Sequence, residues 1–335
     1  MATPDAARCM VFDVGGTSLR AGVYSPFDRG LYNTIRVPTP SRLESADDRA
    51  WKEVCAMMHT LERQLMDGDD AAIVSVALPG PISPAGTLLA APTVCGRSAS
   101  VIDARNELSA MWPRSKVVVV NDITAAGYRY VESGYRDFCI VTISSGIGHK
   151  VFAAGQPLTG PGGRGGEIGH LRVDYSPEAL VCDCGLRGHL GAVSSGRGTV
   201  RLAQRIAATN HDAFAHSRLA SDVHSDAGAI DAIRLASAFR DGDQFAVDVV
   251  NAAALHIGHA LAAIHTTTGT ERFVIIGGFA FALGERYRSQ LAAAAAASCW
   301  DLGVRWDSIV EFGVDDDDAG MLGAGAYATG LTAGR

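Results

Sequence analysis

Val11-Phe12-Asp13-Val14-Gly15-Gly16-Thr17-Ser18-Leu19-Arg20 is the stretch that decides the architecture of this chain. An apolar run over residues 9–14 reaches two glycines and resumes over residues 19–24, which predicts a β-hairpin with a glycine-rich turn. Two glycines let the backbone approach a ligand closely, and N–H groups exposed in such a turn make a cradle for an anion. A carboxylate just before the cradle, here Asp13, can hold Mg²⁺ directly or through water. Taken alone, the same residues also read as a plain hairpin turn.

Outward from the hairpin, apolar residues at Trp51, Val54, Cys55, Met58, Leu61 and Leu65 follow a helical spacing over residues 48–66, predicting an amphipathic helix that covers a sheet. Residues 72–77 and 117–120 read as buried parallel strands. Near residue 143 the opening design recurs: an apolar run over residues 138–143 ends at Ser144-Ser145-Gly146-Ile147-Gly148. A helix over residues 247–264 then leads to a strand over 272–276 that ends at Gly277-Gly278, and a last helix follows the acidic run 315–318. The alanine run 292–297 reads as one face of a helix. This repetition predicts an α/β protein of two related lobes with a cleft between them.

Composition narrows the function. The 335 residues are 47% hydrophobic and 19% charged, which is ordinary for a globular chain of two domains. The net charge of −7 comes without any cluster of basic residues, which disfavours nucleic acid or an anionic membrane as partner. No apolar run suggests a span, the densest being residues 291–300, and residues 1–10 lack a signal core, so a cytoplasmic protein is expected. The lysines are Lys52, Lys116 and Lys150 alone, and no Gly-Lys-Ser/Thr phosphate loop is present. Seven scattered cysteines read as reduced thiols.

Two further clusters can carry chemistry. Asn121-Asp122 directly follows a buried strand. A carboxylate there can take a proton from a substrate hydroxyl, or can simply cap the helix that follows. His170, Cys182, Cys184 and His189 have the residue types and close spacing of a tetrahedral zinc site. A C-x-C pair beside surface histidines is the plainer alternative.

In this order, the pieces resemble the ROK family of sugar kinases, within the actin/Hsp70/hexokinase superfamily, over nearly the whole chain. Residues 11–20 look like its first phosphate motif, Leu78-Pro79-Gly80-Pro81 its Pro-Gly-Pro turn, and Asn121-Asp122 its catalytic pair. Ser144 to Gly148 resemble its second phosphate motif, Gly166-Glu167-Ile168-Gly169-His170 its sugar and zinc signature, and Asp318-Ala319-Gly320-Met321-Leu322-Gly323 its C-terminal helix.

The resemblance implies two actin-like, ribonuclease H-like lobes, with residues 1–120 and 318–335 in the smaller and 121–317 in the larger. It implies a cytoplasmic, homodimeric kinase that uses ATP and Mg²⁺ and carries a structural Zn²⁺. Asp122 is then the general base. Asp13 helps hold Mg²⁺, and Gly15, Gly16, Thr17, Ser145 and Gly146 cradle phosphates, with Gly277 and Gly278 beside the adenosine. Pro79, Gly80, Thr93, Asn121, Asp122, Glu167 and His170 line the sugar site, and His170, Cys182, Cys184 and His189 ligate zinc.

Three departures from the family pattern matter. His189 replaces a third cysteine, which a zinc site tolerates. Gly191 replaces a sugar-binding Glu, and Thr93 replaces an Asn that contacts the ring. A site built to bond a hydroxyl discriminates strongly for it. The changes therefore point to a non-standard acceptor, an aminosugar such as kanosamine or a C7-cyclitol of secondary metabolism. Ordinary glucose, polyphosphate as donor, and a sugar-binding protein without catalysis remain alternatives. A DNA-binding repressor is disfavoured, because the twelve residues before Asp13 are too few for a helix-turn-helix.

Overall fold

A computed structural model describes residues 8–39, 49–95 and 101–332. Among the described residues, ten strands and the helices between them build two five-stranded sheets. The strands are β1 (Cys9–Val14), β2 (Ser18–Ser25), β3 (Gly30–Pro38), β4 (Ile73–Leu78), β5 (Lys116–Asn121), β6 (Phe138–Ile143), β7 (Ile147–Ala153), β8 (Gln156–Pro157), β9 (Phe273–Ile276) and β10 (Val310–Phe312).

The first sheet has the order β3-β2-β1-β4-β5. Its centre, β1, pairs antiparallel with β2 and parallel with β4, and every residue of β1 is buried. The register sets Asp13 opposite both Arg20 and Ala77, and Leu78 opposite Asn121. Asp13, Gly80 and Asp122 therefore emerge at the same carboxyl edge of the parallel strands, where open α/β sheets bind their ligands. The helix Arg49–Leu65 buries Trp51, Val54, Met58 and Leu61 in the core of this unit; each such side chain is worth about 1.5–3 kcal/mol when fully removed from water. The helices Asp122–Glu132 and Ala319–Thr332 pack together, with Tyr128 and Tyr327 ring centroids 4.7 Å apart.

The second sheet has the order β10-β9-β6-β7-β8. Its core gathers Cys139, Val141, Ile143, Phe273 and Ile275 from the strands with one apolar face of Gln244–Thr268. That helix is longer than the expected 247–264 and is the one among the described residues long and apolar enough to cross a membrane. Its buried Phe245, Val250, Ile257 and Leu261 assign it instead to the interior. The alanine run lies largely in the helix Glu285–Ala296, where Ala292 and Ala295 are buried.

The chain forms two compact units. One holds the described residues of Met1–Arg136, Phe152–Gly165 and Asp316–Arg335, and the other holds Asp137–Val151 and Gly166–Asp315. The helix Asp122–Glu132, expected in the larger lobe, falls in the first unit, because its small residues seat it against Ala319–Thr332.

Candidate active site and metal centre

In the first unit, β5 ends at Asn121 and a helix starts at once with Asp122. The cap of that helix is Asn121. Its Oδ1 accepts the N–H groups of Ile123 and Thr124 at 3.1 and 3.0 Å, as an N-cap side chain should. Its Nδ2 donates to Gly80 O and to Asp122 Oδ1, both at 2.9 Å. Asn121 is buried and its amide fully engaged, while Asp122 is half-buried and also accepts the Ile123 N–H at 2.8 Å. The carboxylate thus sits at a helix N-terminus, against the N–H groups of the first turn. Pro79 and Gly80, which follow β4, are half-buried. Thr93 belongs to the short helix Pro92–Cys95, and its side chain lies outside the described residues.

Asp13 is buried at the end of β1, and its Oδ2 pairs with Arg20 Nη2 at 2.9 Å. Burial pushes its carboxyl above the ordinary range, the Arg20 guanidinium pulls it back, and Asp317 pushes it up again. Arg20 also donates to the Asp317 carbonyl. The turn after β1 is tight, with Gly15 N–H donating to Ser18 O at 2.9 Å and Thr17 exposed at the tip. The hairpin reading and the cradle reading both fit this geometry.

In the second unit, Ser144-Ser145-Gly146 forms a turn closed by Ser144 N–H on Gly146 O at 3.0 Å. Gly277 packs on the end of β6, where a Cβ would stand 2.7 Å from Ile143 O. Gly277 and the exposed Gly278 therefore lie beside this turn. Arg197, to which sequence reasoning gave no role, donates from Nε to Ser145 O at 2.9 Å and pairs with Asp183 at 2.8 Å.

The same unit carries Glu167 and the four candidate metal ligands. Glu167 is half-buried, and Lys150 Nζ donates to its Oε1 at 3.0 Å. His170, Cys182, Cys184 and His189 each turn a ligand atom inward, all within 4.8 Å of one another. The nearest separations are 3.3 Å from Cys184 Sγ to His189 Nδ1, 3.4 Å between the two Nδ1 atoms, and 3.9 Å from Cys182 Sγ to His170 Nδ1. Bonds of about 2.1 Å to nitrogen and 2.3 Å to sulfur in a tetrahedron put donor atoms roughly 3.4–3.8 Å apart. The four side chains therefore fit a tetrahedral ion. Burial and the neighbouring His170 lower the pKa of His189, which keeps its imidazole neutral as ligation requires.

A family model described as "ROK family" matches residues 9–330. A C(7)-cyclitol 7-kinase from Streptomyces hygroscopicus subsp. limoneus is 34% identical, over 97% of this chain and 95% of its own length. A 2-epi-5-epi-valiolone 7-kinase from an Actinoplanes species is 31% identical over 86% of this chain and 82% of its own. Among solved structures, the ROK family glucokinase of Streptomyces griseus, in complex with glucose and AMPPNP, superposes with a TM-score of 0.77 at 23% identity, covering 96% of this chain and 99% of that one. This last likeness establishes the fold, of the actin-like kind. With the family model spanning nearly the whole chain, the protein belongs to the ROK family.

Proposed function

We propose that this protein is an ATP- and Mg²⁺-dependent kinase that phosphorylates the 7-hydroxyl of a C7-cyclitol in secondary metabolism. The observation that carries the reading is the 34% identity, over almost the entire chain, to a kinase named for that reaction. An N-acetylmannosamine kinase from Escherichia fergusonii stands further off, at 27%. The 7-hydroxyl is a primary alcohol on a six-membered carbocycle and is the counterpart of the 6-hydroxyl of a hexose. The Gly191 and Thr93 departures support an acceptor other than glucose.

In this reading Asp122 accepts the proton of the attacking hydroxyl. Asn121 acts by positioning, since its amide ties Asp122 to the Gly80 turn. Glu167 and His170 receive ring hydroxyls, with Pro79, Gly80 and Thr93 along the acceptor. Gly15, Gly16, Thr17, Ser145 and Gly146 hold phosphate oxygens by backbone and hydroxyl donors, and Gly277 and Gly278 border the adenosine. Asp13, a buried carboxylate held by Arg20, is the residue that would hold a Mg²⁺, and that ion would supply positive charge to neutralise the phosphates. His170, Cys182, Cys184 and His189 would hold a structural Zn²⁺, and His170 would join the zinc loop to the acceptor. A cytoplasmic homodimer is carried over from the family alone.

The test is ADP release with Mg-ATP across glucose, mannose, N-acetylmannosamine, kanosamine and 2-epi-5-epi-valiolone, followed by ³¹P NMR of the product. A phosphate monoester on the exocyclic carbon of the cyclitol is the expected result. Glucose as the preferred acceptor would make the protein a glucokinase, and silence on every acceptor with binding intact would make it a sugar-binding protein.

A further inference from the structure

Lys150 is a charged residue in the interior. It lies on β7, is 1% exposed, and is the fully buried lysine of the second unit. Taking an ammonium out of water is costly unless it is paired and hydrogen-bonded. Nζ meets that demand on one short loop, donating to Glu167 Oε1 at 3.0 Å and to Gly166 O at 3.1 Å. The loop is built around it. Gly166 has φ +87, and a Cβ there would stand 2.6 Å from Nζ and 2.5 Å from Cδ, so the backbone passes directly over the lysine. The preceding residue, His149, accepts the Ile168 N–H on Nδ1 at 3.1 Å. Two consecutive residues of β7 thus hold the chain on both sides of Glu167, and one of them also holds its carboxylate.

We propose that Lys150 is a positioning residue for acceptor recognition. It fixes Oε1, so that the carboxylate meets substrate hydroxyls through its other oxygen in one orientation. The inference rests on the reading of Glu167 as an acceptor-binding residue and goes beyond it, naming the group that sets its direction. Charge-assisted hydrogen bonds hold geometry more firmly than neutral ones, and a carboxylate fixed in one pose selects among hydroxyl patterns.

Steady-state kinetics on the full chain with Mg-ATP and the preferred acceptor test this. Lys150→Met is expected to raise the acceptor KM roughly 10- to 100-fold, while the ATP KM stays within about twofold. Glu167→Gln is expected to raise the acceptor KM similarly. In the Glu167→Ala background, which removes both carboxylate oxygens, Lys150→Met is expected to add no further rise, because the acceptor through which it acts is already gone. An equal rise in both backgrounds, or none in either, would overturn the proposal and leave Lys150 a core residue. An unchanged acceptor KM in Glu167→Gln alone would overturn the reading of Glu167, and the proposal with it. Should Lys150→Met fail to fold, Lys150→Arg decides. It keeps the charge and displaces it, and an acceptor KM unmoved by that change would contradict the positioning role.

Discussion

Asn121 donates from Nδ2 to Asp122 Oδ1 at 2.9 Å while its Oδ1 caps the helix that Asp122 begins. One side chain therefore does two jobs, ending a strand and aiming the carboxylate beside it. Asn121→Ala is expected to cost about 1 kcal/mol of stability from the lost cap. It is also expected to lower kcat about 10- to 100-fold, because a small misplacement of a catalytic group is expensive. Thermal melts and kcat on the same preparation separate the two effects.

Gly320, near the start of the last helix, lies against Asp13. A Cβ on it would stand 2.1 Å from Asp13 Oδ2, the oxygen that pairs with Arg20. Gly320→Ala must push the carboxylate or the helix aside, at about 1–3 kcal/mol as overpacking usually costs. The expected kinetic signature is a Mg-ATP KM raised about 10-fold with the acceptor KM unchanged. A shift in the acceptor KM alone would show that Asp13 serves the other substrate.

The hairpin, β4, β5 and the long core helix were legible because each is a dense apolar run or a clean helical repeat. β3 was not. It is an edge strand with Tyr32, Asn33 and Thr34 exposed, so only half of its pattern is apolar and it has no buried run to announce it. In the site, Asp13, Asp122 and the four metal ligands were readable as residue types at suggestive spacings. The partners that orient them were not, since Lys150 meets Glu167 and Arg197 meets Ser145 across 17 and 52 residues. A lysine followed directly by Val151 and Phe152 in one short strand was the available signal.

Stability should depend on His149. Burial, with Lys150 beside it, lowers its pKa from 6.5 to about 4. The unfolded chain takes up a proton as pH falls below 6.5 while the folded chain resists until about 4. The neutral imidazole's contribution is therefore complete above 6.5 and is lost as pH falls through that window, on the order of 3–4 kcal/mol in all. Urea melts at pH 7 and pH 4.5 check this. His149→Gln is expected to be less sensitive to that change than the wild type, and an equal sensitivity would contradict it.

Metal content provides an independent check. Elemental analysis of the purified chain is expected to give about one zinc per chain, and His189→Ala substantially less, since removing one of four ligands opens a tetrahedral site. The melting temperature should fall with the zinc. Full zinc in His189→Ala would remove His189 from the ligand set.

The central claim is tested most directly by kcat/KM for 2-epi-5-epi-valiolone against glucose, in wild type and in Asp122→Asn. Asparagine keeps the shape of the side chain and removes the base. The expected result is a preference for the cyclitol of roughly 100-fold or more, as a site matched to a hydroxyl pattern gives, with turnover in Asp122→Asn down about 10²- to 10⁴-fold on either acceptor. Glucose turned over as well as the cyclitol, or Asp122→Asn as active as the wild type, would contradict it.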